Sequence, residues 1–132
     1  KISETRAEEI DDVYSGLITV KTPRESGDTT EISGTLFQSR FPRLVSVNKR
    51  RIDAIPEGQM LVLENRDVPG IIGSVGTCLG KHGINIAAMN WGRLEEGGDA
   101  LTVINMDQPI PAEVLKELQT LPSVLSATNI VI

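Results

Sequence analysis

MLVLENRDVPGIIGSVGTCLGKHGINI, residues 60–86, decides how the rest of the chain is read. Its first four residues are apolar and have the length and flanks of a buried strand. Glu64, Asn65, Arg66 and Asp67 then read as a polar turn. Val68, Pro69 and Gly70 read as the opening of a helix. Proline suits the first helical position because its missing N–H would have no partner there, and the residue before it is held extended. Ile71, Ile72, Val75, Cys78 and Leu79 follow at i, i+1, i+4, i+7 and i+8, which is one apolar stripe. Lys81 and His82 place cations near the negative end of the helix, and Gly83 supplies a left-handed stop. Ile84, Asn85 and Ile86 begin a second strand. The helix start presents free N–H donors beside Asn65 and Asp67, which suits a small anionic or zwitterionic ligand. Asp67 also suits a plain capping carboxylate, and Asn85 next to Gly83 also suits turn chemistry.

Downstream, residues 84–91 read as a strand, 95–99 as a turn and 100–106 as a hairpin partner. A second helix is expected over about 111–121, opened by Pro111 and ended by Pro122. Val114, Leu115, Leu118 and Leu121 form its stripe. Residues 124–132 read as a last strand. The order βαββαβ predicts an α+β, ferredoxin-like unit with both helices on one face of an antiparallel sheet. In that topology strand 84–91 lies at an edge. It carries Ile84, Ile86, Met89 and Trp91, with no charge or proline before Arg93, so it invites pairing with another chain. Gly73, Gly76 and Gly80 share one side of the first helix. Each costs about 1 kcal/mol against alanine there, which points to close approach by another backbone.

Upstream the chain reads as strands. Residues 1–12 are acidic and form an extended arm lacking partners. Residues 17–21 (LITVK) and 29–37 pair across a polar turn at 22–28, with a bulge at Gly34. Phe41 and Pro42 break the pattern. Residues 44–47 and 52–55 form a hairpin about Asn48 and Lys49. Pro56, Glu57 and Gly58 mark a boundary, so the expected parts are a β-rich 1–57 and the unit 58–132.

Composition narrows the function. The chain has 132 residues, 13 basic and 18 acidic, for a net charge of −5. That argues against nucleic acid as a partner, as does a βαββαβ sheet whose strands offer only Trp91 for base stacking. No apolar run approaches the length of a membrane span. One cysteine, Cys78, excludes an internal disulfide or a four-cysteine zinc site, and fits the cytoplasm. Cys78 reads as core. His82 has no evident second ligand or base, so it reads as a helix-end cation and no metal or catalytic residue is assigned. Arg40, Arg43, Lys49, Arg50 and Arg51 read as a solvated basic hairpin face. No G-x-G-x-x-G follows a strand, so no dinucleotide site is expected within these residues. The chain begins at Lys1 without methionine and reads as a fragment.

The segment LENRDVPGIIGSVGTCLGKHGINIAAMNWGR resembles an ACT domain, the amino-acid-sensing module of biosynthetic enzymes. Asp67-Val68-Pro69-Gly70 matches that family's D-x-P-G loop, and Gly83-Ile84-Asn85-Ile86 its G-x-N-I strand start. Residues 33–58 are similar to the end of the intervening domain of long-form D-3-phosphoglycerate dehydrogenases. The pair implies a regulatory fragment of an NAD-dependent enzyme of L-serine synthesis. It implies no cofactor in the fragment itself, an L-serine-like effector, and a homodimer through the ACT domain within a larger oligomer. The implied effector residues are Asn65, Asp67, Gly70, Ile71 and Asn85, with Asn85 reaching a ligand held by a neighbouring subunit. Asn65 departs from the histidine or tyrosine of other members. Arg43 matches one position of the basic anion pocket found in some intervening domains, and Ile55 stands where another cation would be. The β part of iron–sulfur L-serine dehydratase carries a related module pair, and a stand-alone amino-acid-sensing module is the other alternative.

Overall fold

Residues with positive φ place the tight turns of the first sheet. The computed structural model describes the backbone of residues 3–7 and all of residues 16–132. Five strands form an antiparallel meander in chain order: β1 (Ser3–Ala7), β2 (Leu17–Pro23), β3 (Thr29–Phe37), β4 (Phe41–Val47) and β5 (Arg50–Ala54). Asn48 and Lys49 have φ of 48° and 66°, the two left-handed residues that a two-residue hairpin matched to sheet twist requires. Gly34 sits at a register shift between β3 and β4, as expected of a bulge. A Cβ there would come within 3.1 Å of the Arg43 carbonyl oxygen.

Two expectations for this half are corrected. Phe41 and Pro42 do not break the sheet; they begin β4, paired with Phe37 and Leu36. Pro42 is tolerated because β5 reaches only to Leu44, so at Pro42 the strand has a neighbour on one side alone. The acidic arm is not without a partner: residues 3–7 pair with β2. Residues 1–2 and 8–15 lie outside the described residues.

The second half comprises β6 (Gln59–Arg66), α1 (Ile71–Lys81), β7 (Ile86–Arg93), β8 (Asp99–Met106), α2 (Ala112–Thr120) and β9 (Val124–Val131). Its sheet order is β7-β8-β6-β9, antiparallel throughout, which is the ferredoxin-like arrangement read from the sequence. Ile71, Val75, Cys78 and Leu79 of α1 and Val114 and Leu118 of α2 share one core with Leu61, Leu63, Ile104, Met106 and Ala127. Both helices therefore cover the same sheet face. Burying each such aliphatic side chain contributes about 1.5–3 kcal/mol, so the two stripes are what hold the helices down. Strand β7 is an edge, as expected, although it starts two residues later than read.

The helix starts and strand ends differ most. Glu64, Asn65 and Arg66 are strand, not turn: Asn65 and Arg66 pair with Ala100 and Asp99 of β8. Pro69 does not occupy the first helical position. It precedes Gly70, which caps α1 in a left-handed conformation at φ 91°. At the other end Gly83 is left-handed as expected, with its N–H on the Gly80 carbonyl. By contacts the chain divides into two compact units, Lys1–Pro56 and Glu57–Ile132. Among the described residues no helix is long and apolar enough to cross a membrane.

Candidate functional site

The short loop 67–70, between β6 and α1, is the region the sequence singles out. Gly70 turns the chain so that its carbonyl accepts from both the N–H and the hydroxyl of Ser74, at 2.9 and 3.1 Å. No side chain caps α1. The N–H groups of its first turn thus point outward at the positive end of the helix. Of the two donors expected to be free, Ile71 is turned toward the Val68 carbonyl, at a long 3.5 Å.

Asp67 is not a helix cap. Its carboxylate accepts from Arg93 at the end of β7, at 2.6 Å, and from the N–H of Gly97 at 3.3 Å. Its own N–H donates to Gly98 at 2.8 Å. The Arg93 guanidinium holds the Asp67 carboxyl below the ordinary aspartate range, helped by Gly97 and opposed by partial burial. The same hydrogen bond pushes Arg93 up. The pair closes the loop 67–70 onto the β7–β8 turn.

Asn65 is placed differently from the expectation of a ligand-facing amide. Its side chain is 1% exposed. Its Oδ1 accepts from the Thr102 hydroxyl at 3.0 Å and its Nδ2 donates to the Arg66 carbonyl at 2.9 Å. The strand pleat puts it on the core-facing side, where both ends of its amide are engaged within the chain.

Asn85 is exposed, just before β7. Its Nδ2 donates to Asp107 at 2.6 Å, and its backbone N–H donates to the Gln108 side chain at 2.7 Å. Its carbonyl accepts from the N–H of Asp107 at 3.1 Å. Asp107 follows β8, whereas the Asp67 loop adjoins the start of β8 at Asp99. Strand β8 is eight residues long. At about 3.3 Å per residue its ends lie roughly 25 Å apart. Asp67, Gly70 and Ile71 are thus brought together, and Asn85 is not; within one chain it sits at the opposite end of the sheet.

Sequence reasoning did not find Arg93, Gly97, Thr102 or Asp107. Each is 22 to 37 residues from the group it holds. Only the hairpin register, once known, pairs them. It also missed the partner of His82, whose ring nitrogen lies 2.7 Å from the Glu117 carboxylate on α2. Lys81 reaches the other oxygen of Glu117 at 3.2 Å. The His82 hydrogen bond, then that of Lys81, hold the Glu117 carboxyl below its ordinary range.

Residues 59–123 match the ACT domain family. The second unit is an ACT domain, with the ferredoxin-like sheet and two helices described above. Over nearly its whole length the chain is similar to proteins named D-3-phosphoglycerate dehydrogenase. It is 34% identical over 113 residues to that of Bacillus subtilis (strain 168), covering 86% of this chain and 21% of the relative. It is 32% identical over 130 residues to that of Synechocystis sp., covering 98% and 23%. It is 31% identical over 131 residues to that of Archaeoglobus fulgidus, covering 98% and 24%. The chain thus spans only 21–24% of the length of these curated relatives.

Proposed function

We propose that this chain is the regulatory portion of a cytoplasmic, NAD-dependent D-3-phosphoglycerate dehydrogenase. Its ACT domain binds L-serine, or a closely related amino acid, between two copies of the domain for feedback control. The observation that carries this reading is the placement of Asp67 and Asn85 at opposite ends of one edge strand. Arg93, at the end of β7, holds Asp67; Asn85 stands just before the start of β7. When two β7 edges pair antiparallel about a two-fold axis, the start of one strand meets the end of the other. Asn85 of one copy then comes beside the Asp67 loop of its partner, and two equivalent sites form.

The amino acid's three groups find complements there. Its carboxylate takes the outward N–H groups at the start of α1, where Gly70 leaves room. Its ammonium takes the Asp67 carboxylate and the carbonyl of the neighbour's Asn85. The hydroxyl falls to the neighbour's Asn85 Oδ1, because the Asn65 amide is enclosed; Asn65 supports the loop from below through Arg66 and Thr102. A ligand held across two subunits favours the paired arrangement over any other, and only such differential affinity can alter catalysis elsewhere in a longer chain.

Titration calorimetry with serine, glycine and alanine tests the reading. Wild type binds serine. A hydrogen bond to a charged ligand group contributes about 1.5–3 kcal/mol, so Asn85→Ala weakens binding roughly 10- to 150-fold. Asp67→Ala weakens it too. Equal serine binding by all three proteins would show the site to be elsewhere. Silence toward serine with binding of another amino acid would keep the site and change the effector.

A further inference from the structure

Three metal-ligating side chains meet where the last turns of α1 face α2. Cys78 lies in the last turns of α1, His82 is the residue that caps the helix, and Glu117 belongs to α2. The Cys78 sulfur, a His82 ring nitrogen and a Glu117 carboxylate oxygen all lie within 4.8 Å of one another. We propose that Cys78, His82 and Glu117 form a site for a zinc-type divalent cation, with a fourth position open to solvent.

The chemistry of the set fits. Thiolate, imidazole and carboxylate are the three side-chain ligands zinc takes, and three protein ligands with one open position is a common zinc arrangement. Zinc bonds of about 2.0–2.3 Å at tetrahedral angles place ligand atoms roughly 3.3–3.8 Å apart. The three groups need to draw together by about an ångström, which rotamer changes of the partly exposed His82 and Glu117 side chains toward Cys78 can supply. Cys78 and His82, four residues apart across the helix end, already converge on one spot. His82 already aims Nε2 at Glu117, at 2.7 Å.

The place is also built for a cation. Lys81 and His82 both reach the Glu117 carboxylate. The Lys81 side chain is 66% exposed, so its ammonium can leave to water as the metal arrives. Cys78 is buried, yet it lines an open groove along α1 together with Gly73, Ser74, Thr77 and Lys81, which gives an ion a way in. On binding, the S–H bond of Cys78 breaks, a sulfur–metal bond forms and the proton passes to solvent. The metal then ties α1 to α2. This site is independent of the amino-acid reading, which uses the other end of α1.

The experiment is titration of the reduced 132-residue chain with Co²⁺, then Zn²⁺. One Co²⁺ per chain is expected, with thiolate-to-cobalt charge-transfer absorption and the strong visible bands of a tetrahedral ion, both removed by excess Zn²⁺. Cys78→Ser loses the charge-transfer band. Because Cys78 is buried and its replacement can disturb folding, His82→Ala and Glu117→Gln provide the second arm; each lowers affinity at least about tenfold. Absence of a charge-transfer band overturns the site. So does unchanged affinity in either His82→Ala or Glu117→Gln, since a site lacking one of these ligands is not the one proposed.

Discussion

Asp67 shows how one residue can be read correctly as important and incorrectly as to cause. A carboxylate three residues before a helix cap looks like a cap. Here it makes no cap to the helix and instead holds Arg93 and Gly97. Its folded pKa lies below the ordinary 3.8. For a carboxyl with a depressed folded pKa, the stabilising contribution is present above the unfolded value and is lost as pH falls through the folded one. The loop clasp is therefore constant from neutral pH down to about 5 and opens only under stronger acid. The Gly97 amide proton reports it: its NMR shift should titrate with a midpoint under 3.8. A midpoint at or above that value would mean that Arg93 does not hold Asp67 in solution.

At the scale of elements, α1 separates glycines by role. Gly70 sits at φ 91°, where a side chain is strained. Gly80 is helical, and a Cβ there meets nothing within 4 Å. Gly70→Ala should cost about 1–2 kcal/mol in denaturant unfolding, as a left-handed non-glycine residue does. Gly80→Ala should add up to about 1 kcal/mol at dilutions where the domain is monomeric. The same sign for both would contradict this placement of the helix start. Strand β7 is the matching case. Its edge is regular from residue 88 onward, past a register shift between Ile86 and Ala88. Ala88 is exposed. Ala88→Lys puts a charge on that edge and should turn a sedimenting dimer into a monomer at high micromolar concentration, because charged edges resist strand addition. A variant that remains dimeric moves the interface off β7.

For the molecule as a whole, the proposed regulatory role predicts no dehydrogenase activity from these residues alone. His82, the one histidine, is engaged by the Glu117 carboxylate. The chain spans about a fifth of the Bacillus subtilis relative. The purified 132 residues should therefore give no NADH from NAD and 3-phosphoglycerate, measured by absorbance at substrate saturation. Measurable turnover would place catalytic residues in this chain. Serine should still bind under the same conditions.

Much of the architecture was legible in the sequence because it is written in short periods. Ile71, Val75, Cys78 and Leu79 fix a helix face by spacing alone, Val114 and Leu118 fix another, and Asn48-Lys49 reads as the tight turn that the structure shows. Together with strand alternation they determine the βαββαβ order and the edge position of β7. What the sequence alone did not settle was where polar side chains go. Glu64-Asn65-Arg66 looks like a turn because it is polar, yet ladder bonds to β8 extend the strand through it. Asn65 then lies on the core side of the pleat, and Thr102, 37 residues away, satisfies it. Hydrogen bonds and ion pairs between distant residues depend on register and pleat, and no local pattern carries those. Residues 65–67 and 93 acquire their roles only when β6, β7 and β8 lie side by side, because a buried amide or a loop carboxylate is satisfied by whatever the neighbouring strand presents.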